Sequence, residues 1–233
     1  MKVIRNRGYE SLFPRCEPQG DSALLVRFGD KIDPELNQRV HSLFQALEED
    51  SINGCLESIP AYCTLLVNYD PLKLNYYETE KWVKTTLSRL KSLPPHTPTI
   101  HEVPVIYGGE HGLDLEEVAR LHNLSQDEVV RLHSSELYKV YFVGFLPGFP
   151  YLGGLNPALE TPRLETPRLI VKAGSVGIAG TQTGIYPLDS PGGWRIIGWT
   201  PMTLFDPSLE PPSRFSPGDA IRFISQRDGG IIP

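Results

Sequence analysis

The chain has no C-x-x-C, and its three cysteines, Cys16, Cys55 and Cys63, are odd in number. Neither a disulfide framework nor a zinc site is signalled. Buried free thiols in a reducing cytoplasm are the simpler expectation. There is no G-x-x-x-x-G-K-[ST], so no P-loop, and no H-E-x-x-H, so no metalloprotease helix. No run of about 18 apolar residues occurs, which excludes a membrane-spanning helix. The N-terminus, MKVIRNRGYESLFPR, is basic but lacks the apolar core of a signal peptide. A net charge of −6 argues against a protein that coats nucleic acid. With 40% hydrophobic and 21% charged residues the chain reads as globular rather than disordered. Its 233 residues suffice for two modest domains.

What the chain has in abundance is glycine and proline between Tyr141 and Phe205. Eleven of the 21 glycines lie between Gly144 and Gly198. They alternate with short β-branched or aromatic runs: Leu169-Ile170-Val171, Gly184-Ile185-Tyr186 and Trp194 to Trp199. That pattern predicts short strands joined by tight turns, as in a small barrel. Pro147, Pro150, Pro162, Pro167, Pro187, Pro191 and Pro201 hold the connections at fixed φ.

Ahead of this region, Ser22 to Phe28 reads as a strand. Asp33-Pro34 reads as an N-cap with proline at the first helical position. Leu36, Val40, Leu43, Phe44 and Leu47 follow at helical spacing. Cys55–Ile59 and Tyr62–Tyr69 read as a strand pair around Pro60, and Tyr76–Leu90 as a second helix. Strand, helix, two strands, helix is an α+β pattern close to a ferredoxin-like unit. The proline cluster from Leu93 to Pro98 reads as a linker. The expected domains are residues 1–93 and 99–233, the second opening on the strand Ile100–Tyr107, with a loose tail RDGGIIP.

D-L-E-E at 114–117 and S-Q-D-E at 125–128 are capping-box patterns, each predicting a short helix. Together they resemble a helix-turn-helix with a recognition helix from Gln126. Asp114, Glu116, Glu117, Asp127, Glu128 and Glu136 give this pair the wrong charge for a phosphate-binding face. Two helices covering a barrel is the better expectation. Ala173-Gly174-Ser175-Val176-Gly177 is superficially a nucleophile elbow, but all six histidines lie at or before His133, so the chain order of that triad fails. Backbone amides of the Gly174-Ser175 turn forming an anion-binding nest is the preferred alternative. His96 and His101, or His122 and His133, could pair on a metal, but lone histidines are more often surface or packing residues; His133 stands out, at a helix end just before the strand into GFLPGF.

Arg163 and Arg168 lie between proline turns in PRLETPR, where bidentate carboxylate recognition and surface pairing with Glu160, Glu165 or Asp189 are both open. Phe149 and Tyr151 serve either as core or as the wall of a small-molecule pocket. Gln182, Thr183 and Tyr186 offer polar groups to orient an amide-bearing ligand.

GF-x-PGF-x-YLGGL, then AGSVGIAG-x-QTGIYP-x-x-SPGGW-x-x-IG-x-TP-x-x-LFDP, is specific. So are GDSALLVRFG, IPAY-x-x-LLV-x-YDP and VPV-x-YGGE-x-G-x-DLEEVA. Over nearly its whole length the chain resembles the allophanate-hydrolase-subunit-1 family, also called the carboxyltransferase subdomain C/D family. It departs from the family pattern at Lys172, where proline is usual, at Arg195 in place of glutamine, and at Leu113 in place of proline. The resemblance implies an α+β N-terminal domain and a cyclophilin-like β-barrel C-terminal domain.

It also implies alternative activities. One is that of the B subunit of a prokaryotic 5-oxoprolinase, which uses ATP with magnesium and a homologous partner, the C subunit, to open 5-oxo-L-proline to glutamate. The other is inhibition of a sensor histidine kinase; a related amide or urea carboxylase or allophanate hydrolase component is a further alternative. A site shared with the partner accounts for the absence of a complete catalytic constellation here. Arg163 or Arg168 as carboxylate clamp, Gln182 as amide contact and the Gly174-Ser175 turn as anion donor are the expected substrate contacts. The C-terminal domain is expected to carry the ligand site, with residues before Leu93 supporting assembly.

Overall fold

A computed structural model describes residues 13–90 and 98–226. The linker from Leu93, His96, the basic N-terminal segment before Phe13 and the RDGGIIP tail lie outside the described residues. The chain divides into two compact units, Met1–Thr97 and Pro98–Pro233.

In the first unit, strands β1 (Arg15–Gln19) and β2 (Ala23–Arg27) precede helix α1 (Pro34–Glu49), strands β3 (Cys55–Pro60) and β4 (Thr64–Tyr69), and helix α2 (Tyr76–Arg89). The strands form one antiparallel sheet in the order β1-β2-β4-β3. Asp33 caps α1 as expected, its carboxylate accepting from the amides of Glu35 (2.9 Å) and Leu36 (3.2 Å). Val40, Leu43 and Leu47 then face Leu24, Val26, Leu65 and Val67 in one core. Strand β1 has no signal in the sequence: RCEPQ shows no alternation and contains Pro18. It is a partly exposed edge strand, where a missing amide donor is tolerated.

The second unit begins with β5 (Ile100–Tyr107), a 3₁₀ turn (Gly109–His111), α3 (Leu115–His122) and α4 (Gln126–Ser135). Then come β6 (Leu137–Val143), β7 (Pro150–Gly153), β8 (Arg168–Val171), β9 (Ser175–Ala179), β10 (Gln182–Ile185), β11 (Ser190–Gly192), β12 (Arg195–Trp199) and β13 (Ala220–Gln226). Seven of these strands close a barrel in the order β10-β7-β6-β13-β5-β12-β9. Closure leaves no free edge. The strands β8 and β11 pair separately as a ribbon. Alternation sends Val176 and Ile178 of β9, Leu152 of β7 and Ile185 of β10 inward to meet Val103, Val140, Ile221 and Phe223. Leu115, Val118, Ala119 and Val129 place the apolar faces of α3 and α4 on that same core, so these helices cover the barrel.

One polar chain crosses the core. His133 is fully buried and stacks on Phe223 at 4.6 Å between ring centroids. Its Nε2 lies 2.9 Å from Thr183 Oγ1, and its Nδ1 lies 2.8 Å from the Tyr107 hydroxyl. Thr183 has a single hydroxyl proton, which it donates to Gly177 O at 2.9 Å. His133 Nε2 therefore carries the ring proton, and Nδ1 accepts from Tyr107. Burial pushes the His133 pKa down to about 3 and raises that of Tyr107. Both groups are neutral and mutually satisfied, so His133 is a structural residue rather than a metal ligand.

The two capping boxes of this unit differ. Ser125 and Glu128 form theirs: Glu128 N donates to Ser125 Oγ (3.2 Å) and Ser125 N to Glu128 Oε2 (2.8 Å). The 114–117 box does not form. Asp114 makes no side-chain cap bond, and Glu117 pairs with Arg195 at 2.6 Å. Both carboxylates are drawn to the barrel wall instead.

Candidate functional site

Strand β8 flanks a cavity of about 270 Å³ lined by Arg168, Ser175, His111 and Trp199 among others. Its fixed point is Asp114, which is 4% exposed. The Asp114 carboxylate accepts from Arg168 Nη1 (2.9 Å) and Nη2 (2.7 Å), and from the amide of Ile196 (2.6 Å). A bidentate pair of this kind fixes the plane of the guanidinium as well as its position. Opposite, Trp199 donates its indole N–H to Ala173 O at 2.8 Å, and His111 stacks on it at 5.2 Å with planes 21° apart.

Gly174 joins the two walls. Its φ of +84° suits glycine, and an added Cβ would lie 2.3 Å from Thr200 O and 2.5 Å from the Trp199 indole nitrogen. At the rim, Lys172 pairs with Asp189 (2.7 Å), whose other oxygen accepts from the Ala173 amide (2.8 Å). Those contacts, the Lys172 ammonium first, lower the Asp189 pKa.

The residues nominated from sequence separate into distinct places. Arg168, Gly174 and Ser175 belong to this cavity. The amide nest is corrected: Gly174 N–H donates to Tyr186 O (2.7 Å) and Ser175 N–H to Lys172 O (3.1 Å), so both amides are engaged by backbone. The pairing of Arg168 is also corrected, since its partner is Asp114 rather than Glu160, Glu165 or Asp189. Thr183 points into the barrel core at 0% exposure, beyond reach of an external ligand.

Phe149, Tyr151, Tyr186 and Trp194 form a second cluster, outside the barrel core. Phe149 and Tyr186 are each 1% exposed and meet edge to face at 5.3 Å, so they are packing residues. Tyr151 is half-buried, and Arg163 lies over Trp194 at 5.9 Å. Gln182 shares a strand face with Gly184, where an added Cβ would meet Phe149 and Trp194 at 3.0 Å.

Sequence reasoning missed Asp114, His111 and Trp199 as parts of one site. A signal was present: two of the departures from the family pattern, Leu113 and Lys172, both line this cavity. Larger cavities exist. One of about 450 Å³ in the first unit involves Asp33 and Arg39. There Asp33 caps α1 and Arg39 lies over the Phe28 ring at 5.2 Å.

The family model described as "Carboxyltransferase domain, subdomain C and D" matches residues 14–215. The chain belongs to the carboxyltransferase subdomain C and D family. Among relatives of this family, the B subunit of 5-oxoprolinase from Bacillus subtilis is 42% identical over 226 residues, covering 92% of this chain and 94% of that protein. The B subunit of 5-oxoprolinase from Escherichia coli O157:H7 is 42% identical over 219 residues, covering 92% and 97%. The solved structure of TTHA0988 superposes with a TM-score of 0.79 at 40% identity, covering 91% of this chain and 41% of that longer one. In this family member no described helix is long and apolar enough to cross a membrane. No group of three or more His, Cys, Asp or Glu among the described residues is placed to hold a metal ion.

Proposed function

We propose that this chain is the B component of an ATP-dependent 5-oxoprolinase, acting with a homologous C component to open 5-oxo-L-proline to glutamate. The observation that carries the reading is end-to-end likeness: 42% identity across 92% of this chain and 94% of a relative that bears that name. The first unit is read as ferredoxin-like with an added edge strand, and the second as cyclophilin-like. The cavity beside β8 is compatible in size. At about 270 Å³ it falls just below the ~300–1,000 Å³ of drug-sized sites, which suits a small metabolite better than a nucleotide.

The chain has no P-loop, and no group of three or more His, Cys, Asp or Glu is placed to hold a metal ion among the described residues. In this reading the nucleotide belongs to the assembled complex, where it supplies activation of the lactam carbonyl. What this chain supplies is binding and orientation of the substrate by rigid, preorganised donors. The three cysteines are free and half-buried, and burial raises the Cys16 thiol to about 11, so they remain unreactive thiols suited to a reducing cytoplasm.

Reconstitution tests the proposal. Purified chain alone is expected to release no glutamate from 5-oxo-L-proline and ATP, and the chain with its partner proteins is expected to do so. Glutamate formation that continues when this chain is left out would refute it. Inhibition of a histidine kinase, and the related amide or urea carboxylase role, draw on the same residues; no feature of the described site favours either.

A further inference from the structure

The cavity beside β8 is lined by an arginine whose guanidinium is only partly engaged by its structural partner. Its charged lining is Arg168, Lys172 and Glu110, with His111 beside them. Glu110 turns to solvent, its side chain 90% exposed. Asp114, which neutralises Arg168, stands behind the guanidinium and is not part of the lining. Lys172 likewise stands at the rim, 73% exposed and paired with Asp189, so Arg168 is the charged side chain held at the cavity wall.

The geometry of Arg168 is specific. Asp114 takes the two terminal nitrogens end-on. A guanidinium has a second fork, formed by Nε–H and the outer N–H of a terminal nitrogen. No further hydrogen bond is made by Arg168 among the described residues; its side chain is 27% exposed and lines the cavity. A side-on fork held rigid from behind matches a carboxylate in spacing and in plane.

The rest of the lining selects what carries that carboxylate. Trp199, clamped by Ala173 O and covered by His111, gives a flat wall. Ile170, Val171 and Ile196 give apolar surface, and Ser175 a hydroxyl.

We propose that this cavity is the receptor for a small, flat carboxylate ligand. Arg168 receives the carboxylate through its Nε–Nη edge, Asp114 acts as the positioning residue behind it, and the His111–Trp199 stack walls the ring. Only the ligand's identity, 5-oxo-L-proline, rests on the function proposed above; the anion selectivity rests on the cavity itself.

The test is calorimetric titration of the full chain, with amide chemical shifts to locate the contact. The probes are 5-oxo-L-proline, L-proline and 2-pyrrolidinone, which has the lactam but no carboxylate. 5-Oxo-L-proline should bind about 10- to 100-fold more tightly than 2-pyrrolidinone, the range expected for hydrogen bonds to a charged group. Shift changes should centre on residues 110–114, 168–175 and 199.

Arg168→Met combined with Asp114→Asn removes the fork without leaving an unpaired charge, and the new side-chain amide oxygen can still accept from the Ile196 N–H. This double variant should keep its thermal unfolding transition and bind 5-oxo-L-proline no better than 2-pyrrolidinone. Asp114→Asn alone should narrow the ratio between these two ligands while leaving 2-pyrrolidinone binding unchanged, which a purely structural role would not do.

Absence of saturable carboxylate binding overturns the proposal, as does a double variant that keeps full selectivity or a shift map that avoids the cavity. Tight binding of L-proline but not of 5-oxo-L-proline supports the carboxylate receptor and removes the oxoprolinase substrate. Carboxylate binding at this site without glutamate formation by the reconstituted complex likewise supports the receptor and refutes only the enzyme assignment.

Discussion

Acid should destabilise the barrel through one residue, His133. Its pKa is about 3 in the folded protein against 6.5 for the free side chain, because burial disfavours the charged ring. A depressed folded-state pKa has a definite sign for histidine. Above pH 6.5 both states are neutral and the group contributes no pH dependence. As pH falls from 6.5 toward 3, the unfolded chain takes up a proton that the folded barrel refuses, so stability falls. The slope is one proton, or about 1.4 kcal/mol per pH unit. Between about pH 7 and 5 the loss is about 2 kcal/mol, and down to pH 3 it is about 4 kcal/mol. That is a large fraction of the ~5–15 kcal/mol stability of a typical domain.

The assay is urea unfolding at a series of pH values in a Trp82→Phe background. The remaining tryptophans, Trp194 and Trp199, then report on the second unit alone. His133→Gln keeps a donor toward Thr183 but cannot titrate. It should be less stable at neutral pH by about 1–3 kcal/mol, because the Tyr107 hydroxyl loses its acceptor. Between about pH 5 and 6.5 its stability should be flatter than that of the parent by close to one proton. Equal slopes in the two proteins would refute the assignment of His133 as a buried neutral residue.

Other outcomes follow from the same geometry. Gly174→Ala should destabilise the second unit by at least ~1–3 kcal/mol in thermal unfolding, since it combines positive φ with a clash at Thr200 O; a change below about 0.5 kcal/mol contradicts this account. Asp114→Ala should cost about 2–3 kcal/mol in urea unfolding, somewhat under the ~3–5 of a fully buried pair because Arg168 is 27% exposed. Ser125→Ala should cost about 1 kcal/mol by removing the α4 capping box, measured in the same denaturation.

Much of the fold follows from local physics that any stretch of sequence carries. The helical spacing from Leu36 to Leu47 with Asp33 as cap, the alternating Tyr62–Tyr69 run and the glycine-punctuated strands after Tyr141 are all readable before any fold is known. Helical and strand periodicities depend mainly on near neighbours. The aromatic residues of GFLPGFPY belong to a barrel on the same evidence, but periodicity does not tell which of them are core.

The tertiary structure decided where each polar group points. D-L-E-E at 114–117 has the residue types of a capping box. Yet its aspartate meets Arg168, 54 residues away, and its glutamate meets Arg195, so the box does not form. Gln182 and Thr183 are adjacent and equally polar, but strand alternation puts the first on the outer face and the second against His133 in the core. The amide of Gly174 looks available for a ligand until the neighbouring strand supplies Tyr186 O as acceptor, while that of Ser175 is taken by Lys172 O within its own turn. Composition and spacing determine which elements form. Which carboxylate meets which guanidinium, and which side of a strand is buried, is set only when strands distant in sequence pair and close the barrel, because those contacts have no local signature.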